Sequence, residues 1–164
     1  MLFNDNEIFH PVQGLFYRAI DPHYRANSLA GSRNAGRYSQ ADQPTLYLSS
    51  SPEGVTAAMI AHRTERPTNL EMITVSVDAR RIFDLRDEKA CEMAGITLQD
   101  ATTPWQDLVA QGKTPPSWRV RDKLAALGAQ GLIDPSRKAP GLWHLVLFHW
   151  NTGPQQPTVK VVSR

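Results

Sequence analysis

The sequence has one cysteine, few lysines and no long hydrophobic run. Because Cys91 is the single cysteine, an internal disulfide is excluded and a cysteine-based metal site is not expected. The acidic and amide residues at positions 4–7 do not fit a signal peptide, and no stretch approaches the roughly 20 apolar residues that cross a bilayer. We therefore expect a cytoplasmic protein that does not contact a membrane.

The charge balance is close to even. Eighteen basic and sixteen acidic residues give a formal charge of +2, which is too small to predict nucleic-acid binding from the electrostatic field alone. Most of the basic residues are arginine, which suits bidentate contact with phosphate or carboxylate, although a high-GC coding bias produces the same skew. Direct binding of nucleic acid through the arginines is therefore the functional hypothesis that the sequence supports least.

Signatures of phosphate loops and metal centres are missing as well. No glycine-rich motif of the Walker or dinucleotide-fold type occurs. The histidines follow no zinc spacing, so we expect no metal and assign structural roles to all five: His10, His23, His62, His144 and His149.

Hydrophobic periodicity predicts an α+β fold in one domain spanning residues 1–164, with mixed strands and flanking helices. Residues 8–20 indicate an irregular lead-in followed by a strand that carries Arg18. Further strands are predicted at 45–49, 70–78, 82–85, 131–135, 142–148 and 159–162. Helices are predicted from the Ser51-Pro52 start signal and at 117–127, with a weaker helical pattern between 87 and 112.

The stretch from Phe16 to His62 concentrates groups that suit a charged ligand. Two predicted strands and the long loop at 25–44 carry three arginines and two tyrosines: Arg18, Arg33, Arg37, Tyr38 and Tyr47. Long loops inside compact domains are usually functional or mobile. Guanidinium and aromatic groups together suit a phosphorylated, ring-bearing small molecule, so we interpret this stretch as the active-site half of the chain.

Each of these residues also has a structural interpretation. A lone arginine such as Arg18 is more often an edge residue with its guanidinium in water, and only the company of Arg37 and of the strand-to-turn junction at Ser136 favours a functional role. Ser136 fits a plain turn equally well. Core packing with a solvated hydroxyl suits Tyr38 better than Tyr47.

The order of the motifs resembles a known family. F-Y-R near the start, G-R-Y at the end of the loop, L-Y-L-S before a helix and G-L-I-D-P-S-R late in the chain are similar to the RES-domain toxins over about residues 16–148. These proteins are the toxin halves of type II toxin–antitoxin pairs whose antitoxin is an Xre-like helix-turn-helix protein.

The resemblance implies an ADP-ribosyltransferase-like fold, NAD as the substrate, and a hetero-oligomer with the antitoxin. NAD would be cleaved at the nicotinamide–ribose bond, with water, phosphate or a target protein accepting ADP-ribose. The family is named for an arginine, a glutamate and a serine, of which Arg18 and Ser136 match two. Arg18 and Arg37 would then bind the pyrophosphate, while Tyr38 and Tyr47 would stack on the nicotinamide or hold its amide.

The family's glutamate is missing, because its position in the motif, four residues before His62, is occupied by Ala58. Cleavage of the glycosidic bond builds positive charge on the ribose, and losing a carboxylate that stabilises this charge costs about 10²-fold or more in rate. Glu53 lies about 140° from position 58 around the helix, and helix capping already accounts for it. An engineered substitution and a natural loss both fit the sequence.

Two main hypotheses follow for the function. The first is an NAD-directed toxin with its catalytic site at Arg18, Tyr47, Ala58 and Ser136, impaired in this copy by the alanine. The second is a non-catalytic module that binds NAD, a related nucleotide or only the antitoxin.

Overall fold

The structure is a computed structural model that describes residues 5–61, 70–135 and 140–163. Within these ranges the strands are β1 Phe9–Ile20, β2 Leu46–Ser49, β3 Glu71–Asp84, β4 Gly131–Pro135, β5 Trp143–Leu147 and β6 Thr158–Ser163. The α-helices are α1 Asp5–Ile8, α2 Pro52–Ala61, α3 Glu88–Ala94, α4 Leu98–Thr102, α5 Gln106–Ala110 and α6 Pro116–Ala126, and a 3₁₀ helix covers Pro22–Asn27. None of the helices in these ranges is long and apolar enough to cross a membrane.

The strand pairings form a closed ring. The order is β1-β2-β5-β4-β3-β6, and β3 pairs in addition with β1. The β1–β3 ladder is long, running from Phe9 opposite Phe83 to Ile20 opposite Glu71. In contrast, β1 meets β2 at a single pair, Tyr17 opposite Ser49. This single-pair contact, which we call the β1–β2 joint, is therefore the shortest strand pairing and the narrowest part of the ring.

Two cores lie on the two faces of these strands. One contains residues from all six strands, among them Phe16, Leu48, Val75, Ile133 and Leu145, all at most 5% exposed. The other packs the opposite faces against the helices and includes Phe83, Ala90, Leu124, Leu132 and Val146. Burial of apolar surface on both faces explains the nearly continuous hydrophobic run of β5.

The α+β class and several element predictions are confirmed. β2 alternates as predicted, since Leu46 and Leu48 are buried in the all-strand core while Tyr47 faces the opposite way. The side chain of Ser51 caps α2 by accepting the backbone N–H of Gly54 at 3.2 Å. The predicted helix at 117–127 is α6, and Gly128 follows its end with φ +95.

Two predictions are wrong in detail, and the helical pattern at 87–112 is confirmed. The irregular lead-in is part of β1, because a register shift between His10 and Val12 lets this segment stay paired with β3. The two strands predicted at 70–78 and 82–85 are one strand. The weak pattern at 87–112 is three short helices, the first of which ends at Gly95 in the left-handed conformation.

Gln130 explains why β3 continues without a break. The edge of β3 pairs with β6 up to Asp78 and with β4 from Ile82, so the intervening amides lack a strand partner there. The side-chain Oε1 of Gln130 accepts the N–H groups of Arg80 (3.1 Å) and Arg81 (3.0 Å). Its Nε2 donates to the carbonyl of Gln155 at 2.6 Å. The Gln130 side chain thus accepts the hydrogen bonds that a neighbouring strand would otherwise accept from β3.

Substitution of Gln130 by alanine should therefore destabilise the fold. Two backbone donors lose their acceptor, and we expect the free energy of unfolding to fall by about 2 kcal/mol or more. Urea denaturation measures this, with Gln111→Ala at an exposed position as the matched control. Equal losses in the two variants would contradict the role of Gln130.

Candidate functional site

Four polar side chains lie in register across the sheet near the narrow joint. Tyr17 lies opposite Ser49, Ser49 opposite His144, and His144 opposite Asp134. Directly opposed residues of antiparallel strands point to the same face, so the four side chains form one row across β1, β2, β5 and β4. We call it the polar row. Ser49 and Asp134 are buried, whereas Tyr17 and His144 are half-buried.

The sequence-based role of His144 has to be revised in part. His144 lies on β5, whereas His149 lies beyond it, because β5 ends at Leu147. Periodicity gives no cross-strand register, and therefore it could not show that His144 stands between a buried serine and a buried aspartate. Neither Ser49 nor Asp134 was selected from the sequence.

Arg18 is next to the polar row on β1 but faces the other way. It shares the face of Phe16 and Ile20, both buried in the all-strand core. Its Nη1 donates to the carbonyl of Ser28 at 2.9 Å, and the side chain is half-buried. The guanidinium is therefore not an exposed edge group, and it holds the start of the long loop against β1.

The segment after β2 is fixed to the start of β5. The N–H of Ser50 donates to the carbonyl of Trp143 at 3.0 Å, and the N–H of Trp143 donates to the Ser50 hydroxyl at 3.3 Å. From here α2 begins and packs against β1. Ala58 lies on this helix, in a part whose side chains are outside the described residues.

The end of β4 comes to the same corner, because Pro135 lies opposite Trp143. Ser136 follows Pro135 and lies outside the described residues. The topology thus brings β1 at Tyr17, the start of α2 and Pro135 to one corner of the sheet. That the side chains of Arg18, Ala58 and Ser136 line a common ligand site stays a prediction.

Tyr47 and the loop meet in a four-residue turn, Gly36–Ser39, closed by reciprocal backbone hydrogen bonds between its end residues. The hydroxyl oxygen of Tyr47 accepts the N–H of Tyr38 at 3.1 Å and lies 2.8 Å from the Ser39 hydroxyl. Burial raises the pKa of Tyr47, so its hydroxyl stays neutral at physiological pH. The ring is half-buried, and the hydroxyl holds the turn.

Tyr38 is a core residue, 1% exposed. Its hydroxyl donates to Oδ1 of Asp134 at 2.5 Å, so the prediction of a solvated hydroxyl is wrong. The reason is the long loop, which folds its tip under the helices instead of into water. In this conformation Tyr38 offers no surface to a ligand, and its hydroxyl instead binds Asp134 of the polar row.

Arg37 extends from the same turn to the end of α4. Its Nη1 donates to the carbonyls of Ala101 (3.1 Å) and Thr103 (2.9 Å). Arg37 is half-buried and Arg33 is exposed. Contact of either guanidinium with a pyrophosphate stays a prediction.

Two surface depressions lie elsewhere on the chain. One is lined by polar groups around Gln130 and Gln156, and the other lies over Cys91, Ile96 and Leu98. None of the residues selected from the sequence lines either of them. Among the described residues, no group of three or more His, Cys, Asp or Glu side chains is placed to hold a metal ion.

The fold and site define an α+β protein whose candidate site lies where a ring of five strands is narrowest. The model of the RES domain matches residues 15–163, and the chain therefore belongs to the RES-domain family. Among solved structures, the chain is similar to one in the crystal structure of the M. tuberculosis MbcT–MbcA toxin–antitoxin complex. The identity is 18%, the TM-score is 0.59, and the match covers 97% of this chain and 89% of that one. No curated protein matches the sequence significantly.

The buried hydroxyl of Tyr47 predicts a loss of stability at alkaline pH. Its pKa is higher in the folded protein than in the unfolded one, so its contribution is complete below pH about 10 and is lost as the pH rises further. We expect the free energy of unfolding to fall above this pH, and to fall less steeply in Tyr47→Phe. Denaturant titrations between about pH 8 and about pH 11 measure how the free energy of unfolding changes with pH. These limits lie roughly one unit or more on either side of the pKa of free tyrosine.

Tyr24→Phe is the control, because Tyr24 is 63% exposed. Its slope should match that of the parent protein. Equal slopes in all three proteins would show that Tyr47 does not titrate differently in the folded state.

Proposed function

We propose that this protein is the toxin of a toxin–antitoxin pair and acts on NAD at the nicotinamide–ribose bond. The observation that carries the proposal is the RES-domain match over residues 15–163. Two further findings support it. A chain of similar fold occurs in a toxin–antitoxin complex, and β1, which carries Arg18, lies at the same corner of the sheet as the end of β4, after which Ser136 follows in the sequence.

The chemistry assigns a task to each of three groups, of which Arg18 and Tyr47 project from opposite faces of the strands. Arg18 binds the pyrophosphate, Ser136 binds a ribose hydroxyl, and the ring of Tyr47 packs against the nicotinamide. As the bond breaks, its electron pair leaves with neutral nicotinamide and positive charge develops on the ribose. Water, phosphate or a protein side chain then attacks the ribose carbon and loses its proton.

Position 58 determines how fast this reaction proceeds. A carboxylate there would stabilise the charge on the ribose and orient the nucleophile, and alanine does neither. We therefore propose that this copy binds NAD and cleaves it slowly. A second candidate, a module that binds NAD or its antitoxin without turnover, is favoured by the same alanine.

The partner in this proposal is an Xre-like helix-turn-helix antitoxin that blocks the site. The complex is a hetero-oligomer, and the toxin itself does not bind nucleic acid. A target protein for ADP-ribosylation is a further partner if transfer, and not hydrolysis or phosphorolysis, is the reaction.

Restoring the acid at position 58 should raise NAD cleavage. We expect Ala58→Glu to release nicotinamide at least about 10²-fold faster than the parent, measured by chromatography with NAD in water and in phosphate buffer. Thr56→Glu is the matched control, since it adds the same carboxylate to the same helix about 200° away at an exposed position.

The control variant should stay as slow as the parent. No nicotinamide release by Ala58→Glu, together with no NAD-dependent rise in the melting temperature, would contradict both cleavage and binding of NAD and leave only a module that binds the antitoxin. A rise in the melting temperature without turnover in either protein would select the non-catalytic module.

A further inference from the structure

One helix, α6, donates hydrogen bonds to the whole Gly36–Ser39 turn, which contains Arg37 and contacts Tyr47. Three successive carbonyls of the Gly36–Ser39 turn each accept a hydrogen bond from a side chain of α6. The bonds run from Trp118 Nε1 to Gly36 (2.8 Å), from the Ser117 hydroxyl to Arg37, and from Arg121 Nη1 to Tyr38 (2.9 Å). The donors are spaced i, i+1 and i+4, so they lie on one side of the helix.

Arg121 is the charged residue among these three donors, and it is buried. It is 6% exposed, its guanidinium lies 4.8 Å from the ring centre of Phe148, and Nη1 also donates to the Thr45 hydroxyl at 2.6 Å. Among the described residues no carboxylate forms an ion pair with it. Burial accordingly lowers the pKa of Arg121.

A buried cation without an acidic partner is a poor way to stabilise a fold. Removing a charge from water costs free energy, and an apolar side chain of similar volume commonly gives equal or higher stability. The ring of Phe148 and the aliphatic part of Arg121 could pack equally well with a methionine at this position. Methionine would, however, remove the Arg121 donor from the Tyr38 carbonyl, so what the guanidinium supplies here is that hydrogen bond.

The consequence of this bond is that the position of one residue, Tyr38, is fixed. The N–H of Tyr38 donates to the Tyr47 hydroxyl, while its carbonyl accepts from Arg121, so the residue is held at both ends. Arg37 precedes this residue, and Tyr47 lies against it. We infer that Arg121 is a positioning residue, which fixes through the Tyr38 carbonyl the side chain of Tyr47, which is proposed to bind NAD, and the adjoining Arg37. This inference rests on the proposed function.

The test compares Arg121→Met with Arg119→Met in the Ala58→Glu protein. Arg119 lies on the same helix and is exposed, so it controls for the loss of one positive charge. Because a misplaced binding group weakens substrate contacts before it alters the chemistry, we expect the KM for NAD to rise about tenfold or more in Arg121→Met. We expect kcat to change much less, and the melting temperature to fall, because the buried Tyr38 carbonyl loses the Arg121 donor.

Arg121→Lys provides the rescue. An ammonium group returns one donor to the Tyr38 carbonyl without the fork of the guanidinium, so its KM should lie between those of the parent and Arg121→Met. A KM unchanged in a stable Arg121→Met protein would overturn the inference. If the methionine variant does not fold, Arg121→Lys decides by the same criterion: a raised KM supports the role, and an unchanged KM overturns it.

Amide hydrogen exchange of residues 36–39 gives a readout without NAD. Faster exchange in Arg121→Met than in Arg119→Met shows that Arg121 holds the turn even if Ala58→Glu neither binds nor cleaves NAD, in which case the proposed function fails and the positioning of the turn does not. Equal exchange in the two variants overturns the inference.

Discussion

The buried hydrogen bond between Tyr38 and Asp134 connects the two parts of the candidate site. It joins residues 96 positions apart in the sequence, one in the Gly36–Ser39 turn and the other in the polar row. Because both groups are buried, losing either partner would remove this hydrogen bond from a region that excludes water. The turn, Tyr47 and the ends of β4 and β5 therefore depend on each other, and the corner of the sheet is preorganised by contacts that do not require a ligand.

Preorganisation at this corner suits the chemistry proposed for the family. A reaction that develops charge on a sugar gains most from groups that are already in place when the bond breaks. Arg18 bonds to the Ser28 carbonyl and Arg37 to the Ala101 and Thr103 carbonyls, so both guanidinium groups are held by backbone from separate parts of the chain.

The sequence predicted those elements whose pattern is local. β2, β5 and α6 follow from alternation, from a buried run and from helical spacing. The burial of Tyr38 does not, because its partner lies 96 residues away, and neither does the continuity of β3, which depends on the side chain of Gln130. For the site, motif order identified Arg18, Tyr47 and Ser136, whereas Ser49, His144 and Asp134 become neighbours only through cross-strand register. Arg121 was missed because nothing in its helix shows that the side chain faces a loop instead of water.

A crystal structure of the Ala58→Glu protein soaked with NAD tests the central claim most directly. The account predicts that the nicotinamide–ribose bond lies at the β1–β2 joint, with the pyrophosphate within hydrogen-bond distance of Arg18 and the ribose beside residue 58 and Ser136. NAD bound away from this corner, for example in the depression over Cys91 and Ile96, would contradict it.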